Sequence, residues 1–120
     1  MDNLQAYNQF WNSFGLVAYD ENSVPEKTAA PYITYEAAAD DFGTEIPLAA
    51  SIWYRTTSWT PIMEKSKEIS AYIGRGGRLV SYDGGAFWIT KGTPFMTRMG
   101  DPDDDVIKRI LLNITVEFIE

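Results

Sequence analysis

The chain contains no cysteine and no histidine. The first absence excludes disulfide bonds, thiolate nucleophiles and thiolate metal sites, and the second removes the commonest general base and the commonest metal ligand. We therefore expect no enzyme of a familiar type. The sequence predicts no catalytic residue, no metal site and no bound cofactor.

Long apolar runs and an excess of positive charge are also missing. No stretch approaches the roughly 20 apolar residues of a membrane-spanning helix, and the opening MDNLQAYNQFW lacks the layout of a secretion signal. Lys and Arg number 10 against 17 Asp and Glu, a net charge of −7. Because phosphate contacts need clustered cations, we expect neither sequence-specific nucleic-acid binding nor membrane binding.

Aromatic residues are abundant. The chain has 120 residues, which suits a single domain over 1–120, and it carries 4 Trp, 7 Tyr and 6 Phe. Surplus aromatic side chains fill cores, but they are also enriched in the centres of protein–protein interfaces. Composition alone leaves both interpretations open.

The stretch from 58 to 77 is the clearest element, an amphipathic helix with both ends marked. Thr60 is predicted to cap it, Pro61 suits its first turn, and Gly74 is predicted to end it. Helical spacing predicts one buried stripe, formed by Ile62, Ser66, Ile69 and Ile73. The solvent side is predicted to carry Glu64, Lys65, Lys67 and Glu68.

Residues 2–14 predict a second helix, capped by Asp2 or Asn3, and residues 17–31 predict a loop. Alternating apolar residues predict paired strands at 31–38 and 45–57, joined by a turn at 40–44. On the second strand the spacing predicts one shared face, formed by Ile46, Leu48, Ala50, Ile52 and Tyr54.

Two short strands flank Asp83-Gly84-Gly85, which predicts a hairpin within 78–90, and 93–99 predicts a further extended piece. The final segment, 106–120, fits both a helical stripe and strict alternation, and its β-branched residues favour a strand. The predicted fold class is α+β, a mostly antiparallel sheet packed against an N-terminal helix and one central amphipathic helix.

Two motifs resemble known ligand-binding loops, one for calcium and one for phosphate, but neither meets the requirements of its loop. Asp101, Asp103 and Asp105 imitate the first ligands of a calcium loop, but Val106 replaces the required glycine and Leu112 the bidentate glutamate. The acidic stretch 100–105 is therefore predicted to be a solvated loop. Gly74-Arg75-Gly76-Gly77 follows a helix rather than preceding one, so it is not a phosphate loop.

The order of the segments resembles a known family. YNQFWNSFG, AYDENSVP, PYITYE, SIWYRTTSW, IGRGG, SYDGGAFWI and KGTPFMTRMGDPDDD follow one another over nearly the whole chain. This order is similar to that of tail terminator (tail completion) proteins of long-tailed phages and prophages of Gram-positive bacteria. The resemblance implies a small α+β virion protein that is assembled in the bacterial cytoplasm.

The resemblance also implies a homohexameric ring on the head-proximal end of the tail tube, which stops polymerisation and presents a docking surface for the head. Its partners would be the tail tube protein and a neck protein, with DNA passing through the lumen. Trp and Arg dominate the energetic centres of interfaces. From residue type and expected exposure we predict these contact residues: Arg55, Trp59, Arg75, Arg78, Asp83, Trp88, Arg98, Asp103 and Asp104.

Three other functions remain open at this stage. A head-closure or head–tail adaptor protein, or a tail tube subunit, would share the size and acidity of the chain. A small hydrolase that uses two carboxylates would instead need a pocket holding Asp or Glu with raised pKa values.

Overall fold

The computed structural model describes residues 2–37, 44–101 and 103–119, with the backbone alone at Asp101. Within them the chain forms two helices and six strands in the order α1 (Asn3–Asn12), β1 (Ala18–Asp20), β2 (Tyr32–Tyr35), β3 (Glu45–Arg55), α2 (Thr60–Ile73), β4 (Arg78–Tyr82), β5 (Gly85–Asp101) and β6 (Asp104–Ile119). The predicted α+β class with a mostly antiparallel sheet is confirmed.

The strands of the described residues make one sheet in the order β1-β2-β3-β6-β5-β4. Only β1 and β2 run parallel, and every other neighbouring pair is antiparallel. The long strand β6 lies between β3 and β5, so the last segment of the chain occupies the middle of the sheet. β6 pairs with another strand along each of its two edges, and this central position in the sheet suits its β-branched residues.

α1 begins with a capping box. The Asp2 carboxylate accepts from the backbone N–H of Gln5 at 2.8 Å, and the Gln5 side chain accepts from the backbone N–H of Asp2 at 3.1 Å. The helix ends at Asn12, two residues before the predicted end, and buries one face made of Ala6, Tyr7, Phe10 and Trp11. The predicted cap and helix are confirmed.

α2 buries the predicted stripe of Ile62, Ser66, Ile69 and Ile73, and Gly74 ends it with φ of +80°. The predicted cap is wrong, because Trp59 occupies the cap position without a side-chain hydrogen bond and Thr60 is the first helical residue. The placement of Lys65 on the solvent side is also wrong. Its side chain is 17% exposed.

The strand predictions differ from the structure at three places. Residues 18–20, assigned to a loop, form β1, which pairs with β2 through its backbone. The short piece at 93–99 is part of the 17-residue β5. Strand pairing runs to Asp101 and Asp104, so residues 100 and 101 end β5 and residues 104 and 105 begin β6, where a solvated loop was predicted. Residues 40–43 of the predicted 40–44 turn lie outside the described residues.

The core lies between the helices and one face of the sheet. On β6, burial alternates strictly from Lys108 to Phe118, which confirms the predicted strand. Tyr7 of α1 makes edge-to-face contacts with Phe87 at 5.7 Å and with Phe118 at 6.0 Å between ring centroids. This aromatic packing joins the first helix to the last two strands and leaves the other face of the sheet free of helices among the described residues.

Candidate protein interface

A row of flat side chains crosses the sheet on the face that neither helix covers. It runs over four neighbouring strands and consists of Tyr19 on β1, Tyr32 on β2, Trp53 on β3 and Arg109 on β6; we call it the ladder. Strand pairing places Tyr32 opposite Trp53, and Trp53 opposite Arg109. All four side chains are half-buried, so each keeps part of its surface exposed to solvent.

Ring and cation contacts connect the ladder. The Tyr32 and Trp53 rings are stacked, 6.2 Å apart with 18° between their planes, and Tyr19 packs edge-on to Tyr32 at 6.2 Å. The Arg109 guanidinium carbon lies 4.8 Å from the centre of the Trp53 ring, a cation–π contact.

Two hydrogen bonds fix the ladder in place. The Trp53 indole N–H donates to Thr34 Oγ1 at 3.0 Å, and Arg109 Nε–H donates to Ser51 Oγ at 3.0 Å. Because both donors are used on the protein itself, the ring and the guanidinium hold one orientation before any partner arrives. A preordered surface loses less side-chain entropy on binding.

A cavity of about 370 Å³ opens beside the ladder. Its wall is mostly apolar, with one cation, and is formed by Thr28, Ala29, Ala30, Tyr32, Trp53, Tyr54, Arg55 and Ile107. Arg55 Nη1 lies 3.9 Å from an oxygen of Asp104, and the Arg55 side chain is 66% exposed. An ion pair this open contributes little stability, so Arg55 remains available to a ligand carboxylate.

The opposite end of the same face is acidic and apolar. Glu45 and Glu117 lie directly opposite each other on β3 and β6, and Trp88 lies opposite Glu117 on the other side. Three exposed apolar side chains continue this row on the Glu117 side: Trp88 beside Glu117, Leu79 beside Trp88, and Ile119 two positions further along β6. We call these five residues the acidic patch.

The predicted contact residues do not form one surface. Trp59 packs at the start of α2, with Arg98 5.2 Å and Lys108 5.5 Å from its ring centre. Arg78 lies over the Tyr72 ring at 3.9 Å and donates to its carbonyl oxygen. The structure thus brings Trp59 and Arg98 together, but it ties Arg78 to α2.

The remaining predicted residues are scattered. Arg75 is exposed in the loop after α2, Asp83 and Asp103 lie in hairpin turns, and Arg55 meets Asp104. Trp88 lies in the acidic patch. None of the predicted contact residues belongs to the ladder, so sequence reasoning missed all four members, Tyr19, Tyr32, Trp53 and Arg109. Alternation places Tyr32 and Trp53 on the non-core faces of their strands, but only strand register shows that Arg109 joins them.

Several tyrosine side chains are fully or partly buried. Burial raises the pKa values of Tyr7, Tyr35, Tyr54 and Tyr82, so these groups stay neutral well above physiological pH.

Among the described residues, no set of three or more acidic side chains is grouped to hold a metal ion. No helix in the described part of the chain is long and apolar enough to cross a membrane.

Comparison with known proteins identifies no relative. No family model, no curated protein and no solved structure matches the chain. Function is therefore inferred from the residues of this chain and from the order of its segments.

Proposed function

We propose that this chain is a phage tail terminator, which forms a hexameric ring on the head-proximal end of the tail tube. The observation that carries the proposal is the ladder, a preordered surface of Tyr, Trp and Arg on the sheet face that α1 and α2 leave uncovered. These residue types dominate the energetic centres of protein interfaces. The choice of a tail terminator in particular depends on the order of the sequence segments, which resembles that family over nearly the whole chain.

The proposed ring stops addition of tail tube subunits and offers its far side to a neck protein. A head-to-tail contact between identical subunits closes into a ring when the rotation per subunit closes. The net charge of −7 suits a ring whose lumen passes DNA without binding it, since like charges repel. The proposed site of action is the neck of the virion, after assembly in the bacterial cytoplasm.

A head-closure or head–tail adaptor protein is the second candidate, because it too would use exposed aromatic surfaces to bind two partners. Two separate surfaces, the ladder and the acidic patch, favour a protein with more than one contact. The test below separates these candidates, since an adaptor does not cap tubes. A tail tube subunit would instead polymerise by itself.

A carboxylate-using hydrolase receives less support. It would need acidic side chains gathered in a pocket. The cavity beside the ladder is lined by Arg55 and by neutral residues, and the cavity on α1 is lined by Leu4, Gln5, Asn8 and Gln9. Neither holds a carboxylate, and a third cavity of about 330 Å³ is lined by one carboxylate, Glu36, which accepts from the backbone N–H of Ala49 at 2.6 Å.

Electron microscopy of the purified chain mixed with its own tail tube protein tests the proposal. We expect six-fold rings, or tubes that are capped at one end and stop growing. Trp53→Ala should remove capping, whereas Lys67→Ala, a change on the exposed side of α2, should leave it intact. Uncapped tubes of unlimited length with the unaltered chain would refute the terminator function and favour the adaptor.

A further inference from the structure

The acidic patch has negative charge that the described part of the chain does not neutralise. Glu45 and Glu117 are direct cross-strand partners, and like charges in that position destabilise a sheet. Ion pairs in the described residues involve only Arg55 with Asp104 and Lys65 with Glu68. Neither glutamate of the patch is therefore paired, and the apolar side chains around them would favour burial against a partner.

The ladder has the opposite character. The Arg109 guanidinium is held against Trp53 and Ser51, and no carboxylate pairs with it among the described residues. Arg55 adds a second, largely exposed cation at the rim of the neighbouring cavity. The flat rings of Tyr32 and Trp53 complete a surface that matches the patch in both charge and polarity.

The two surfaces cannot meet within one chain. Trp53 and Glu45 are eight residues apart on β3, and Arg109 and Glu117 are eight residues apart on β6. At a rise of about 3.3 Å per residue, the two sites are separated by roughly 26 Å. Complementary surfaces at opposite ends of the same strands can bind each other only between two copies.

We propose that the ladder of one copy binds the acidic patch of a second copy. Arg109 pairs with Glu117 and Glu45 of the neighbour, while Tyr32 and Trp53 pack against its Trp88, Leu79 and Ile119. Because the two surfaces share one face of the sheet, two copies that face each other squarely would make both contacts and close as a dimer. A staggered contact leaves one ladder and one patch open and can propagate into a ring. The contact stands on these two surfaces alone, and its closure into a six-membered ring rests on the proposed function.

Charge exchange tests the contact. Arg109→Glu gives a chain with two acidic surfaces, and Glu117→Arg gives a chain with a basic ladder facing a less acidic patch. We expect each single variant to associate about thirtyfold more weakly or worse, the range seen when one member of an interfacial charge pair is lost. The double variant, and an equimolar mixture of the two single variants, should both recover association. Sedimentation velocity over a concentration series measures all four.

Two sets of control variants test whether weaker association comes from misfolding or from a general change in charge. Arg109→Gln keeps a hydrogen-bond donor near Ser51 but removes the charge, so it should weaken association while circular dichroism and thermal unfolding stay unchanged. Lys67→Glu and Glu64→Arg, both on the exposed side of α2, are matched charge reversals. Neither should alter association.

The outcomes separate the contact from the ring. Hexamers that all of these variants leave intact would overturn the contact and keep the ring. Dimers or open chains that show the rescue pattern would keep the contact and refute the hexameric ring. An unaltered chain that stays monomeric up to its solubility limit would overturn the contact.

Discussion

The Lys65 ammonium donates to the backbone carbonyl oxygen of Phe14 at 2.6 Å. The two residues are 51 positions apart in the chain, and the bond joins the middle of α2 to the segment that follows α1. Lys65 also lies 3.1 Å from Glu68 Oε1. A side chain that the helical pattern places in solvent thus links the two helices over the core.

Lys65→Met should lower the free energy of unfolding by about 1–2 kcal/mol, because a hydrogen bond from a charged donor is lost and the Phe14 carbonyl keeps no replacement. Lys67→Met, on the exposed side of the same helix, should change it by no more than about 0.5 kcal/mol. Urea unfolding measures both. Equal effects of the two changes would contradict a structural role for the bond.

Gly77→Ala should destabilise the protein by roughly 1–3 kcal/mol. Gly77 has φ of +93°, and an added Cβ would lie 2.8 Å from the carbonyl oxygen of Ile89 and 2.6 Å from Thr90 Cγ2. Gly76→Ala is the matched control, since nothing lies within 4 Å of its added Cβ. Thermal unfolding that shifts equally for both variants would show that the loop differs from this arrangement.

Tyr7→Phe should stabilise the protein by about 1 kcal/mol at neutral pH. The phenol oxygen of Tyr7 is buried and has no hydrogen-bond partner among the described residues. The neighbouring Trp11 indole N–H, which partly opposes the rise in the pKa of Tyr7, has none there either. Tyr35→Phe should have the opposite effect, because it removes the hydrogen bond from Asn8 Nδ2 at 2.6 Å. Urea unfolding of both variants at pH 7 provides the comparison, and a loss of stability in Tyr7→Phe would refute it.

Alkaline pH should unfold the protein. Burial raises the pKa of Tyr7 above the value of about 10 that is usual for a tyrosine, so folding keeps a proton that the unfolded chain releases. The resulting stability is complete below about pH 10 and is lost as pH rises above it. Unfolding free energy measured from pH 8 to 11.5 should fall less steeply in Tyr7→Phe than in the unaltered chain. Identical slopes would contradict the burial of this phenol.

Two tryptophan variants should separate assembly from stability. Trp53→Ala removes the centre of the ladder, which lies on the sheet face opposite α1 and α2. We therefore expect it to abolish ring formation and tube capping while the domain stays folded. Trp59→Ala removes a ring that packs against the core and should cost about 3 kcal/mol of stability, the lower end of the range for aromatic truncation. Ring formation by folded Trp53→Ala protein would remove the ladder from the interface.

Local signals in the sequence predicted much of the fold. The Asp2 cap, the buried stripe of α2 and the end of α2 at Gly74 depend on nearest neighbours along the chain, and the structure has all three. Alternation identified the core face of β3 and of the final strand for the same reason. The wrong cap at Thr60 shows the limit of such signals, because Trp59 is held there by packing rather than by its own hydrogen bond.

Elements that depend on distant partners were beyond the sequence. β1 has three residues and no apolar period of its own, and it is a strand because its backbone pairs with β2. The 93–99 piece extends into β5 because β6 lies beside it. Each of these segments forms a strand because another strand lies beside it, and its composition alone does not distinguish a strand from a loop.

The sequence by itself determined the α+β class, the two helices, the alternation of the long strands and the acidic charge, because each follows from residues close together in the chain. The tertiary structure alone decided which strands are neighbours and in what register. That register places Arg109 over Trp53 and Glu45 opposite Glu117, and so it forms the ladder and the acidic patch. Surfaces built from several strands have no local signal, since a shift of one residue would send every member to the other face of the sheet.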